Sequence, residues 1–116
     1  MKRFALLLCM MFTAVALHAQ TPAAAPKGNL ENGKKIFTSY GCYQCHNYDA
    51  HGGGAGPRLA PKPVAWNAFV ALVRMPKDQM PPYTAKVVTD QELADIYAFL
   101  LSMPAPPAVD SVPILK

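Results

Sequence analysis

Three segments of the chain carry apolar residues at helical spacing. From Asn29 to Tyr40, the apolar positions Leu30, Ile36, Phe37 and Tyr40 share one helix face, with Gly33 one turn before Phe37. A glycine inside a helix costs about 1 kcal/mol relative to alanine, so Gly33 predicts a close approach by a second helix; Gly41 ends the element. From Ala65 to Val73, residues Trp66, Phe69, Val70 and Val73 recur at i, i+3, i+4 and i+7, and Met75-Pro76 stops the pattern. The third segment has the clearest start. Thr89 followed three residues later by Glu92 makes a capping box, Leu93, Ile96, Tyr97, Leu100 and Leu101 form the stripe behind it, and Pro104 ends it. No internal repeat and no strand pattern emerges, so the expected class is all-α.

The intervening stretches are irregular. Asn47 to Pro63 is rich in Gly and Pro, and Lys77 to Val88 centres on Met80-Pro81-Pro82. The tail from residue 104 to 116, PAPPAVDSVPILK, is expected to run extended over the surface or to be disordered. Three short helices within about 75 residues make a core too small to be secure alone, and domains of this size draw on disulfides, metals or cofactors. The two long loops therefore predict something for the chain to wrap.

Length and charge bear on the N-terminus. The 116 residues leave room for one small domain, and a formal charge of +4 would ordinarily suggest nucleic acid or an acidic partner. Lys2 and Arg3, however, precede an uncharged apolar run from Phe4 to Leu17, which is the layout of a secretory signal peptide and is shorter than a membrane span. Leu17-His18-Ala19 offers a cleavage site, placing the cut after Ala19. Cys9 leaves with that segment, and Leu8 before it is too large for a lipid-attachment signal. Without residues 1–19, nine basic side chains face seven acidic ones and the charge is +2, so a nucleic-acid partner is no longer suggested. Residues 20–28 read as a flexible leader, 29–103 as the folded domain and 104–116 as the tail. The mature chain is expected to lack a membrane span and to be periplasmic.

Two cysteines remain, in Cys42-Tyr43-Gln44-Cys45-His46. C-x-x-C-H is the attachment sequence of c-type haem: two sulfurs on one turn meet the two vinyl groups of one porphyrin edge, and the adjoining imidazole is directed at the iron. Such attachment is made outside the cytoplasm, in agreement with the signal segment. A redox-active C-x-x-C would want a βαβ context, a structural zinc would have only His51 as its fourth ligand, and a disulfide would leave His46 unexplained. For the second axial position the candidates are Met75, Met80, Met103 and His51. Met103 closes the last helix and Met75 the one before it. Met80 lies mid-loop, where Pro81-Pro82 lock an extended backbone without amide donors, and is the preferred ligand, with His51 its main competitor.

These pieces, together with Gly56-Pro57-x-Leu59, Arg74-x-Pro76, Met80-Pro81 and Tyr97-Ala98-Phe99-Leu100, resemble a class I c-type cytochrome over residues 29–103. The resemblance implies the small cytochrome c fold: three or more short helices and long loops around one haem c held by Cys42 and Cys45, with His46 and Met80 on the iron. It implies that Pro57 accepts a hydrogen bond from the far ring nitrogen of His46, that Gly33 and Phe37 cross Ile96 and Phe99, and that Trp66 and Arg74 lie near haem propionates. Phe37, Leu59, Phe69 and Leu100 would make the pocket dry, and Lys34, Lys35, Lys62, Lys77 and Lys86 would frame an exposed haem edge. With both axial positions filled, the iron exchanges single electrons with redox partner proteins and catalyses no bond-making. The alternatives are the electron-accepting subunit of a periplasmic dehydrogenase or oxidase, docked through Val109 to Leu115, or a haem sensor or peroxidase-like protein with an open iron.

Overall fold

The computed structural model describes residues 23–115, so the signal segment, its cleavage site and Cys9 lie outside the described residues. Four helices follow in order: α1 (Leu30–Ser39), α2 (Tyr43–His46), α3 (Trp66–Arg74) and α4 (Asp90–Ser102), and the described residues contain no strand. Helices α1 and α4 start on side-chain caps, whereas α3 has none. The side chain of Asn29 accepts from the Asn32 amide at 3.0 Å to cap α1. At α4 the Glu92 carboxylate accepts from the Thr89 amide at 2.7 Å while the Thr89 hydroxyl accepts from the Glu92 amide at 3.2 Å. Such a cap stabilises a helix by about 1 kcal/mol.

The core is the crossing of α1 and α4. A Cβ built on Gly33 would fall on the carbonyl of Asp95, so the two backbones touch and no side chain fits between them. Gly28 meets the Ala94 carbonyl in the same way, and Gln91 Nε2 donates to the Lys27 carbonyl at 3.1 Å. The leader is therefore already part of the fold at Lys27 and Gly28. Its contacts run through backbone, which leaves no periodic side-chain pattern to read. Beyond Gly33, Phe37 tilts against Phe99 with ring centroids 5.4 Å apart. Helix α3 joins this core through Tyr97, whose ring lies 5.2 Å from Phe69 and 5.5 Å from Trp66 and whose hydroxyl donates to the Val64 carbonyl at 3.0 Å.

Two expected apolar faces are narrower than the pattern suggested. Leu30 and Tyr40 at the ends of α1 and Leu101 on α4 are exposed. Asp95 is buried instead, accepting from the Asn29 amide at 2.8 Å, Asn32 Nδ2 at 2.7 Å and Gln91 Nε2 at 3.1 Å. Burial alone would push this carboxyl up; these three donors more than reverse it and hold it below the ordinary carboxylate value. Asp95 thus stitches the start of α1 to the middle of α4. The tail is also more structured than expected, with single 3₁₀ turns at Val109–Ser111 and Pro113–Leu115.

Candidate functional site

The site begins where α1 stops. Gly41 takes a left-handed conformation with φ of 78°, the Cys42 amide donates to the Phe37 carbonyl at 3.1 Å, and α2 then makes a single turn from Tyr43 to His46. That turn carries Cys42, half-buried, and Cys45, exposed, both unpaired. Burial pushes the Cys42 thiol up, the opposite of the lowered value that activates the nucleophile of a redox-active C-x-x-C.

The next loop folds back over this turn and is held by its carbonyls. The Gly56 amide donates to Cys45 O at 2.9 Å, the Gly52 amide to His46 O at 3.0 Å, and Asn47 Nδ2 to Gly52 O. This return brings Pro57 to His46. His46 is buried, and its Nδ1 lies 2.8 Å from the Pro57 carbonyl, which can only accept, so Nδ1 bears the hydrogen. The lone pair is then on Nε2, which makes no hydrogen bond within the described residues. Gly56 is needed here: a Cβ would stand 2.6 Å from Cε1 and Nδ1 of the ring. The imidazole is fixed in tautomer and orientation by backbone alone, as a metal-ligating histidine requires. Two unpaired sulfurs on one turn beside an oriented Nε2 fit a haem c.

Leu59, Trp66, Met80, Tyr83 and Met103 are all half-buried and pack against the core cluster of Phe37, Phe69, Phe99 and Leu100. Met75 is 79% exposed at the end of α3. The ring of His51 is engaged elsewhere: Nε2 donates to the Pro104 carbonyl at 2.9 Å and Nδ1 lies 3.1 Å from Asp49 Oδ2. The His51 amide also donates to Asp49, and this bond is the main reason the Asp49 carboxyl is held below its ordinary value. Arg74 donates through Nη1 to the carbonyls of Tyr83 and Val88 at 2.8 and 2.7 Å and through Nη2 to Asp90 Oδ1 at 2.6 Å. Only Nε and one Nη2 hydrogen are left for any propionate. Lys34, Lys35, Lys62, Lys77 and Lys86 are exposed. Sequence reasoning missed Tyr83, although its position as the first residue with an amide after Pro81-Pro82 was a usable signal. It also missed Asp95, which lies on the side of α4 away from the expected apolar stripe and is nonetheless buried.

Residues 28–100 match the family model described as cytochrome c oxidase, cbb3-type, subunit III. The chain belongs to that family of c-type cytochromes. Two solved structures are similar to the cytochrome. One, titled the crystal structure of p-cresol methylhydroxylase with substrate bound, is 29% identical, with 63% of this chain and 93% of that chain covered and a TM-score of 0.54. The other, the c-type cytochrome NirC, is 25% identical, with 61% and 86% covered and a TM-score of 0.50. No curated protein matches the chain. The cytochrome has the small all-α class I fold, binds haem c covalently through Cys42 and Cys45, and is an electron carrier. No helix among the described residues is long and apolar enough to cross a membrane.

Proposed function

We propose that this cytochrome carries single electrons between periplasmic or membrane-bound redox partners, with His46 and Met80 as the two iron ligands. The observation that supports this most directly is the His46 imidazole, whose Nδ1–H is bound to Pro57 while Nε2 is left free beside Cys42 and Cys45. The haem supplies a one-electron couple at its iron. The chain does the rest. Pro57 holds the histidine, Gly56 leaves it room, and Phe37, Leu59, Phe69 and Leu100 exclude water. Met80 offers a soft sulfur that favours ferrous iron and raises the potential relative to a second histidine. Trp66 and the remaining donors of Arg74 serve the propionate side. In this reading residues 1–19 direct export and are removed after Ala19, and residues 29–103 are the haem domain.

The likeness to a chain of p-cresol methylhydroxylase favours a second reading, in which the cytochrome is the electron-accepting subunit of a dehydrogenase or oxidase complex. Val109, Ile114 and Leu115, exposed on the tail, would then dock it. Isolation of a stoichiometric complex from the native source would favour the subunit, and a monodisperse free cytochrome the mobile carrier.

Carbon monoxide tests the closed iron. The reduced cytochrome should not bind it, and Met80→Ala should. Ready binding by the unmodified protein would replace the carrier with a sensor or peroxidase-like role.

A further inference from the structure

The segment that carries Met80 is poor in hydrogen bonds of its own. Among the described residues, the backbone amides from Lys77 to Met80 make no hydrogen bond beyond a weak turn over Asp78 and Gln79, and Pro81 and Pro82 have no amide to offer. The first anchored residue after the sulfur is Tyr83, and it is anchored at three points. Its amide donates to the Val73 carbonyl at 3.0 Å, its carbonyl accepts from Arg74 Nη1 at 2.8 Å, and its hydroxyl donates to the Tyr40 carbonyl at 3.0 Å. The first two bonds tie the segment to the end of α3. The third reaches Tyr40, which closes α1 two residues before Cys42, and the Tyr83 and Tyr40 rings meet edge to face at 6.5 Å.

We propose that Tyr83 is a positioning residue for the axial sulfur: its hydroxyl bond to Tyr40 ties the Met80 segment directly to the turn that bears Cys42, Cys45 and His46. Among the described contacts, this is the hydrogen bond that joins the two sides of the iron site without passing through α3. The prolines make it matter. A segment with several hydrogen bonds of its own would keep its place if one tether broke, whereas this one is stiff, rests on the core only through the packing of Met80, and moves as a unit with its anchor. Arg74 has a supporting part, since it gathers Tyr83 and Val88, two carbonyls that follow the sulfur, onto one guanidinium. The inference rests on Met80 being the ligand.

Imidazole, a small external ligand that competes with the sulfur for ferric iron, reads the tether. Tyr83→Phe keeps the ring and its packing and removes only the hydroxyl. Loss of one hydrogen bond of ordinary strength should raise the detached population about five- to tenfold. The haem-loaded Tyr83→Phe protein should therefore keep its methionine-to-iron absorption band in the absence of imidazole and lose it at an imidazole concentration lower by about the same factor. Arg74→Gln should shift the concentration in the same direction. Tyr48→Phe, which alters an exposed ring stacked 4.2 Å from Tyr43, should leave it unchanged. Unfolding midpoints measured in parallel separate positioning from general loss of stability, since the imidazole shift should exceed what the midpoint explains. Equal imidazole concentrations for the unmodified protein and Tyr83→Phe would overturn the inference while leaving Met80 as ligand. Survival of the band in Met80→Ala would instead show that the ligand assignment underneath it is wrong.

Discussion

Gly56 stands against the face of His46, so near that a Cβ there would lie 2.6 Å from two ring atoms, and the next residue, Pro57, takes the ring's hydrogen at 2.8 Å. A glycine that leaves room and a proline carbonyl that orients act on the same imidazole from adjacent positions. Gly56→Ala should force the ring away from Pro57. Overpacking of this kind costs about 1–3 kcal/mol, which in a domain this size lowers the melting temperature by about 4–8 °C per kcal/mol. The weakened Nδ1–H bond makes the histidine a poorer donor to ferric iron, so the reduction potential should rise. Thermal unfolding and voltammetry on the variant check both.

At Gly33 the same substitution has two opposed effects. In an exposed helix, alanine for glycine would stabilise by about 1 kcal/mol. Here the new methyl would land on the Asp95 carbonyl, a backbone atom that cannot rotate aside. The clash outweighs the propensity, and Gly33→Ala should destabilise by about 2–3 kcal/mol in a denaturant titration.

Asp95 gives the fold an acid limit. Its carboxyl is held below the ordinary aspartate value of about 3.9 by the Asn29, Asn32 and Gln91 donors acting against burial. The stabilisation is therefore complete above that ordinary value and is lost as pH falls through the lower folded value. Unfolding midpoints measured from pH 7 down to pH 2 should drop steeply in the acid range for the unmodified protein. Asp95→Asn cannot accept from all three donors. It should be less stable at pH 7 by about 1–3 kcal/mol and should show a flatter acid limb.

Changing Cys42 and Cys45 together to Ala should give a colourless chain that unfolds without cooperativity, because the loops from 47 to 63 and from 77 to 88 lose the group they wrap. Retaining the protein in the cytoplasm of a host whose attachment machinery is periplasmic should have the same visible effect. Absorbance of purified protein per polypeptide measures both.

The residues legible in advance were those that act through side-chain pattern or motif. The capping box at Thr89 and Glu92, the stripes around Phe37, Phe69 and Leu100, and the C-x-x-C-H turn all lie in contiguous sequence, where spacing carries the information, while Phe99 was reached through the family resemblance. The need for a helix to approach Gly33 could be read for the same reason. What escaped was cross-chain and mostly backbone-mediated: Gly28 on the Ala94 carbonyl, Tyr83 on the Tyr40 carbonyl, Arg74 on the carbonyls of Tyr83 and Val88. A backbone acceptor has no residue type, so such contacts leave no trace in the order of side chains. Asp95 escaped for a different reason. An acid on the face away from the expected stripe reads as solvated until its three donors are seen to converge on it.

The central claim is that Met80 closes the iron opposite His46. Ferric haem with a methionine sulfur on iron shows a weak far-red absorption band that bis-histidine and five-coordinate haems lack. The oxidised cytochrome should show this band, Met80→Ala should abolish it, and Met75→Ala, Met103→Ala and His51→Ala should keep it. Persistence of the band in Met80→Ala, its absence from the unmodified protein, or its loss in Met75→Ala, Met103→Ala or His51→Ala would contradict the assignment.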